Sequence, residues 1–133
     1  MLFHLKNIFK PYIDETCMHE CVLSASEYAK NDGIKTLDIV KRLLDYGFYA
    51  PTIYFPLIVP ECMMVEPTET ESLETMDSFI CAMQAIMAEA KRDPEILHQA
   101  PHTTPVGRLD EVTAARNPIL RWIPKTSATN ETA

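Results

Sequence analysis

The chain of 133 residues has the length of one ordinary domain, which excludes an assembly of several domains. Its 47% apolar and 23% charged residues are typical of a globular protein and exclude disorder throughout. Nineteen acidic against twelve basic side chains give a net charge of −7, which opposes binding to nucleic acid or to an anionic membrane surface. We therefore expect neither partner.

The sequence carries no sign of export or of membrane insertion. No apolar run approaches the ~18 residues that span a bilayer, and residues 1–10 lack the apolar stretch and cleavage site of a signal peptide. Four cysteines in a chain of this length do not form a disulfide framework, so we interpret them as free or buried thiols. We expect a cytoplasmic protein.

The first elements are a lead-in segment and a strand. Residues 1–14 mix apolar and basic side chains and are interrupted by Pro11, so we predict a lead-in that is helical or irregular. Residues 17–23 alternate as a strand does. The members of one predicted strand face are Cys17, His19, Cys21 and Leu23.

A helix and two short strands follow. Thr36 is the predicted N-cap of a helix that Gly47 ends, and its apolar positions recur at intervals of three and four. Residues 52–55 and 63–65 are rich in apolar, β-branched and aromatic side chains. Because prolines flank both segments, we place them at strand ends or sheet edges.

The longest predicted element begins near Thr68 and ends at Pro94. Thr68 and Glu71 fit a capping box, and basic side chains lie at the negative end of the helix dipole. The apolar stripe, which we interpret as core, comprises Leu73, Met76, Ile80, Met83, Met87 and Ala90. Beyond it we predict a loop with a short helix at 110–116, and a disordered tail at 123–133.

The order strand, helix, two strands, long helix predicts an α+β two-layer sandwich in which two helices cover one face of a small, mostly antiparallel sheet. The predicted domain spans residues 15–122. Its other sheet face has little within the chain to cover it, and the same holds for Leu2, Phe3, Ile8 and Phe9. We therefore expect self-association into a homo-oligomer, or capture by a complementary partner.

Several ordered segments resemble the C-terminal domain of glycine dehydrogenase (decarboxylating), the P-protein of the glycine cleavage system. They are Cys17-Met18-His19-Glu20, residues 22–24 (VLS), 36–48 (TLDIVKRLLDYGF), 51–57 (PTIYFPL), 66–72 (EPTETES), 100–106 (APHTTPV) and 108–112 (RLDEV). The likeness covers residues 11–122 and is greatest to subunit 2 of the form split into two subunits. Long ordered matches of this kind are far more specific than a lone short motif.

The resemblance implies the fold of the small C-terminal domain of fold-type I pyridoxal-phosphate enzymes, which closes an active site carried by a large domain. It also implies a chemistry: decarboxylation of glycine, with transfer of the aminomethyl group to the lipoyl arm of the H-protein. The implied partners are the large pyridoxal-phosphate domain or subunit and, through the full enzyme, the H-protein.

The family's cofactor lysine lies in a histidine-lysine-threonine segment followed by a glycine-rich run, and the 133 residues contain no such segment. Their glycines, Gly33, Gly47 and Gly107, are isolated. We therefore predict that this chain alone holds no pyridoxal phosphate and has no activity, as a C-terminal fragment or a separately encoded piece. The alternative is a non-catalytic dimerisation or protein-interaction module derived from the same domain.

Three positions depart from the family pattern. Tyr49 stands where the family usually has histidine, and Cys21 where it often has phenylalanine. Residues 13–16 replace a stretch that commonly ends in a basic residue. If the missing histidine or basic residue serves the substrate, this copy is impaired even within a full enzyme.

Candidate cleft-facing residues occur in two segments. In the first, His19 and Glu20 resemble the start of a zinc-protease motif, but Leu23 stands where its second ligand is needed. The pair forms part of a cleft wall or is satisfied within the sheet. Cys17, His19 and Cys21 lack the spacing of a structural zinc site, so no metal is expected.

The second segment holds His102, Thr103 and Thr104 before a proline, with Arg108 beyond it. An imidazole and hydroxyls in a loop can face a cleft, and Arg108 can bind a carboxylate or phosphate in a bidentate manner. The alternative is a solvated loop that packs on the large domain. Neither segment yields a catalytic or cofactor-binding residue.

Overall fold

A computed structural model describes residues 1–122 and shows a four-stranded sheet with a core of buried side chains against one face. The elements are α1 (Leu2–Leu5), β1 (Lys10–Pro11), β2 (Cys21–Ser24), α2 (Ser26–Asn31), α3 (Thr36–Asp45), β3 (Thr52–Ile53), β4 (Cys62–Val65), α4 (Leu73–Arg92), α5 (Glu95–His98) and α6 (Glu111–Arg116). The strand order is β1-β2-β4-β3, and every neighbouring pair is antiparallel. The predicted α+β two-layer fold is confirmed.

The centre of the sheet is the pairing of β2 with β4, in which Cys21 lies opposite Val65 and Ser24 opposite Cys62. Alternation along the two strands separates a core face from a second face. The core face is fully buried and consists of Cys21, Leu23, Met63 and Val65. Val22 and Met64 on the second face are half-buried, so that face stays partly open.

Helix α4 supplies the largest share of the helical layer, as its periodicity predicts. Its buried side chains are Phe79, Ile80, Ala82, Met83, Ile86, Met87 and Ala90. Leu73, predicted as the first member of the stripe, is instead 65% exposed. Residues 68–75 are all exposed, so the apolar stripe is covered only from Met76 onward.

The predicted capping box at Thr68 is wrong. The N-cap of α4 is Ser72, whose hydroxyl accepts a hydrogen bond from the backbone N–H of Thr75 at 3.2 Å. A tight turn, closed by a hydrogen bond from Glu71 N to Thr68 O, precedes the helix and delays its start. The spacing of Thr68 and Glu71 suits a capping box, but the turn places the start of the helix four residues later.

Thr36 is the first residue of α3 and not its predicted N-cap, because a glutamate from another segment takes over the capping role. The N–H of Thr36 donates to the Glu61 carboxylate at 2.7 Å, and its hydroxyl donates to the Glu61 carbonyl at 2.8 Å. Asp38 in turn accepts from the backbone N–H of Lys35 at 2.9 Å. The helix ends at Asp45, and Gly47 just beyond it supplies the predicted stop with a φ of +81°, which suits glycine.

The predicted strand at 17–23 is too long at its start, since β2 begins only at Cys21. Cys21 pairs with Val65, the last residue of β4, and the chain beyond Val65 reaches Pro67, which has no N–H to donate. Residues 17–20 therefore have no strand to pair with. His19 consequently lies in a loop and not on a strand face.

The lead-in segment contributes to the same core as the rest of the chain. Leu5 is fully buried and Phe9 is 2% exposed, and Leu2 and Ile8 pack half-buried against the core. The expectation that Leu2, Ile8 and Phe9 lack cover is therefore wrong. The Tyr28 hydroxyl of α2 fixes this segment by donating to the carbonyl of Ile8 at 2.7 Å. Phe3 is 71% exposed, as expected.

The remaining predictions concern the C-terminal part. Helix α6 confirms the short helix predicted at 110–116, and Asp110 is its N-cap. The tail predicted at 123–133 lies outside the described residues. Within residues 1–122, no helix combines the length and the apolar content that crossing a membrane requires.

Replacing Ile80 with alanine tests the packing of α4. Ile80 is 6% exposed within the core, so we expect a loss of about 2–5 kcal/mol in the free energy of unfolding. The urea midpoint measures the loss. Leu73→Ala, at an exposed position of the same helix, is the control and should change it little. An unchanged midpoint for Ile80→Ala would mean that this face of α4 does not pack on the sheet.

Candidate functional site

Three segments that are distant in sequence meet at one end of the sheet. Because β2 and β4 run antiparallel, the chain entering β2 and the chain leaving β4 lie side by side. Thr52 pairs with Met64, so the chain entering β3 reaches the same end. This end of the sheet therefore brings together three segments, residues 17–20, 47–51 and 66–69. Each of them lies within or beside a segment that carries the family resemblance.

This end of the sheet is concave. Neighbouring cavities of about 580, 530 and 440 Å³ share lining residues, and we call them together the trough. Pro67 lines all three cavities, Met18 and His19 line two of them, and Tyr49 lines the second. The trough is open to solvent, since Met18 and Tyr49 are 96% and 95% exposed.

Carboxylates dominate the charge of the trough, and one imidazole lies among them. Glu20 lies in the first cavity, and Glu66 and Glu69 lie in the third beside His19. His19 Nε2 is 3.6 Å from Glu20 Oε2, but the two side chains are 66% and 40% exposed, so a pair of this kind contributes little to stability. Both groups are free to meet an incoming partner. The arrangement can exchange a proton or attract a cation.

The trough does not fit pyridoxal phosphate by itself. That cofactor needs a lysine amine for its aldehyde and positive groups for its phosphate. Among the described residues, the lysine that lines the trough is Lys6, and its amine is bound to both Asp14 carboxylate oxygens at 3.0 and 3.2 Å. The remaining charges of the trough repel a phosphate.

The second group of predicted residues lies elsewhere, at the C-terminal end of α3. The backbone N–H groups of His102 and Thr103 donate to Asp45 Oδ1 at 2.7 and 2.8 Å, and the Thr103 hydroxyl donates to the same oxygen at 2.9 Å. The His102 ring forms a hydrogen bond with the carbonyl of Ile96 at 2.8 Å. Thr104 turns back to the carbonyl of Val106. These contacts fasten the segment to its own domain.

Arg108 also makes its contacts within the domain. Its guanidinium donates to Asp38 Oδ1 at 2.8 Å, to the carbonyl of Leu97 at 2.9 Å and to the carbonyl of Ala100. Asp38 is 3.4 Å from His98 Nδ1 as well. Arg108 therefore ties the start of α3 to the segment that follows α4.

A network of charges joins α3 to α4 beneath this segment. Arg42 donates to Glu89 at 2.8 and 3.0 Å and to Asp45 at 2.9 Å, and the Tyr46 hydroxyl donates to Glu89 at 2.9 Å. The hydrogen bond from Arg42 lowers the pKa of Glu89 below its ordinary value of 4.5. Burial raises the pKa of Asp45, but its hydrogen bonds with Thr103, His102 and Arg42 outweigh burial and lower it overall.

Two of the four cysteines, Cys17 and Cys21, also line the first cavity of the trough. Cys21 and Cys62 are buried, Cys17 is half-buried and Cys81 is exposed, and all four are free thiols. Burial raises the pKa of Cys21 to about 11, so its thiol stays protonated and unreactive. Within residues 1–122, no three histidine, cysteine or acidic side chains are placed to hold a metal ion.

The structure thus divides the six candidates into two places. His19 and Glu20 line the trough, whereas His102, Thr103, Thr104 and Arg108 line none of its cavities. A cleft role for the second group stays a prediction. Sequence reasoning missed the acceptors that hold this group, and it did not name Glu66 and Glu69 as site residues, although their place beside a predicted strand end was a usable signal.

Comparison with known proteins identifies the domain. The family model described as "Glycine dehydrogenase, C-terminal domain" matches residues 3–102. The chain belongs to this family. The match includes α4 and the trough segments 17–20, 47–51 and 66–69, and it ends at His102.

Individual relatives agree with this assignment. The chain is 58% identical over 118 residues to a protein of Caldanaerobacter subterraneus subsp. tengcongensis, which covers 89% of the chain and 24% of the relative. It is 61% identical over 112 residues to one of Halalkalibacterium halodurans (84% and 22%), and 53% identical over 131 residues to one of Chloroherpeton thalassium (98% and 26%). Each is described as "Probable glycine dehydrogenase (decarboxylating) subunit 2". The chain therefore spans about a quarter of the length of these relatives.

Replacing Glu89 with glutamine tests the charge network. The stabilisation from Glu89 is fully present above pH 4.5, its ordinary pKa, and is lost as the pH falls through the lowered value of the folded state. We expect Glu89→Gln to cost about 1–3 kcal/mol at pH 7 and less at pH 3. Urea unfolding at both pH values measures the difference, with the exposed Glu27→Gln as control. An equal cost at both pH values would contradict the account of this pair.

Proposed function

We propose that this chain is the C-terminal domain of a glycine dehydrogenase subunit 2. It acts with a large pyridoxal-phosphate domain and the H-protein in the decarboxylation of glycine by the glycine cleavage system. The observation that carries the proposal is the meeting of residues 17–20, 47–51 and 66–69 at the trough, in a domain of this family. Pyridoxal phosphate supplies the decarboxylation chemistry from the large domain.

In this proposal the trough forms one wall of the cleft that the large domain completes. Its carboxylates suit the ammonium group of glycine and repel anions, and the His19 imidazole suits a proton in transfer. The large domain must therefore bind the cofactor phosphate and the glycine carboxylate. The free thiols suit a reducing compartment, and we place the enzyme in the cytoplasm.

We further propose that the 133-residue chain alone is inactive and holds no pyridoxal phosphate. The support is chemical: the sequence lacks the lysine segment of the family, and Lys6 in the trough is paired with Asp14. His102, Thr103, Thr104 and Arg108 are proposed to serve the cleft from its border, since they line none of the cavities of the trough.

The proposal is tested by mixing the chain with the rest of a subunit 2 relative, meaning the part that the chain does not match, together with subunit 1 and H-protein. Release of CO₂ from glycine should be absent for either piece alone and should appear on mixing. No activity on mixing, with a homodimer of the chain in light scattering, would favour the non-catalytic dimerisation module. An absorbance band near that of lysine-bound cofactor in the chain alone would also contradict the proposal.

His19→Gln tests the trough itself. Because the His19 side chain is 66% exposed, we expect the thermal midpoint of the chain to stay unchanged. The mixed enzyme should lose activity by about 10²-fold or more if the imidazole exchanges a proton. Full activity for both His19→Gln and Glu20→Gln would remove these residues from the cleft.

A further inference from the structure

A second surface of the domain is apolar, exposed and uncharged. Residues 51–60 contain no charged side chain, in a chain with 23% charged residues. We call residues 54–60, which lie between β3 and Glu61, the apolar loop. Within it, Phe55 is 57% exposed, Leu57 86% and Ile58 73%. Contiguous apolar exposure of this kind marks an interaction site more often than chance.

The loop is held firmly, although it exposes these side chains. Val59 is only 6% exposed and anchors its middle. The Cys62 thiol donates to the carbonyl of Phe55 at 2.9 Å, and the Ser24 hydroxyl donates to the carbonyl of Pro60 at 2.6 Å. A loop with such anchors presents its outward side chains in one arrangement, which reduces the entropy lost on binding.

The backbone conformation of the loop also supports a role in binding. Tyr54, at the start of the loop, and Glu61, directly after it, have φ values of 59° and 47°, in a region that costs a residue other than glycine of order 1–3 kcal/mol. Glu61 is kept there by its contacts with Thr36 and by the hydrogen bond from Ala25 N to its carbonyl at 2.9 Å. The fold therefore keeps Tyr54 and Glu61 in an unfavourable backbone conformation, although Leu57 between them stays exposed to solvent.

The position of the loop indicates what covers it. It follows β3 and precedes β4, at the end of the sheet opposite the trough, and between the two lies the partly open sheet face with Val22 and Met64. Four residues of strand separate the two ends by about 13 Å. One partner that covers this face would contact the loop and the trough together.

Two observations distinguish between a larger protein partner and a second copy of this chain. The relatives carry about three-quarters of their length outside the region that this chain matches, which supplies a large body of protein for such a contact. A second copy of this chain would instead bring a net charge of −7 against −7, which opposes self-association.

We propose that the apolar loop is the docking element for the large domain of glycine dehydrogenase, with Phe55, Leu57 and Ile58 entering an apolar depression on that domain. This inference rests on the proposed function. It deepens that function because it separates the residues that bind the large domain from those that face the cleft.

The test measures binding by fluorescence anisotropy. The labelled partner is the part of a subunit 2 relative that the 133-residue chain does not match, and the chain is added to it. Leu57→Asp should weaken binding by about tenfold or more, as a centrally placed apolar contact does. Leu73→Asp is the matched control: Leu73 is also exposed, at 65%, and an acidic residue suits the first turn of α4. Circular dichroism and the thermal midpoint check that both variants are folded, and Leu57→Ser replaces Leu57→Asp if the latter is not.

The outcomes separate the two proposals. Binding by the wild-type chain and by Leu73→Asp, with loss in Leu57→Asp, supports the docking loop. Equal binding by all three chains overturns the docking loop and leaves the proposed function in place. No binding by the wild-type chain overturns both, and a homodimer that Leu57→Asp abolishes would assign the loop to a second copy instead.

Discussion

The pairing of β2 with β4 is the constraint on which the rest of the structure depends. The register that places Cys21 opposite Val65 and Ser24 opposite Cys62 decides which loops share each end of the sheet. It also decides which face is buried, because a shift by one residue would exchange Leu23 and Val22 between the core and the solvent. The trough and the apolar loop are therefore consequences of one short antiparallel ladder.

The two ends of this ladder differ in composition and in how they are held. The trough end consists of exposed loop residues with few internal contacts, such as His19 and Met18. The opposite end is fixed by Glu61, which accepts from the first residue of α3 and from Ala25. A domain that meets a partner across an open face gains from this division, since one end positions it while the other stays accessible.

Much of the fold could be predicted from the sequence, for reasons specific to each element. α4 has twenty residues, so its apolar period is repeated often enough to be recognised, and Gly47 marks the end of α3 through its backbone freedom. α2 and α5 have only six and four residues, too few for a period to show. The start of α3 depends on Glu61, which is 25 residues away, and no local pattern contains that information.

The sequence indicated some of the residues that form the site, but not how they are arranged in space. His19 and Glu20 stood out as residue types, yet their meeting with Glu66 and Glu69 requires the strand register. The sequence predicts that His102, Thr103 and Arg108 are free to face a cleft. In the structure they are held by Asp45 and Asp38, which lie 57 to 70 residues earlier in the chain. Buried acceptors at that separation leave no signature in a single sequence.

The central claim is that the open side of the sheet, from the trough to the apolar loop, is where this domain meets the rest of glycine dehydrogenase. Amide hydrogen exchange of the chain, alone and with the rest of a subunit 2 relative, tests this most directly. The account predicts slower exchange in residues 16–20, 47–51, 54–59 and 66–71 on mixing. Slower exchange at 102–104 alone, with the open side unaffected, would contradict it.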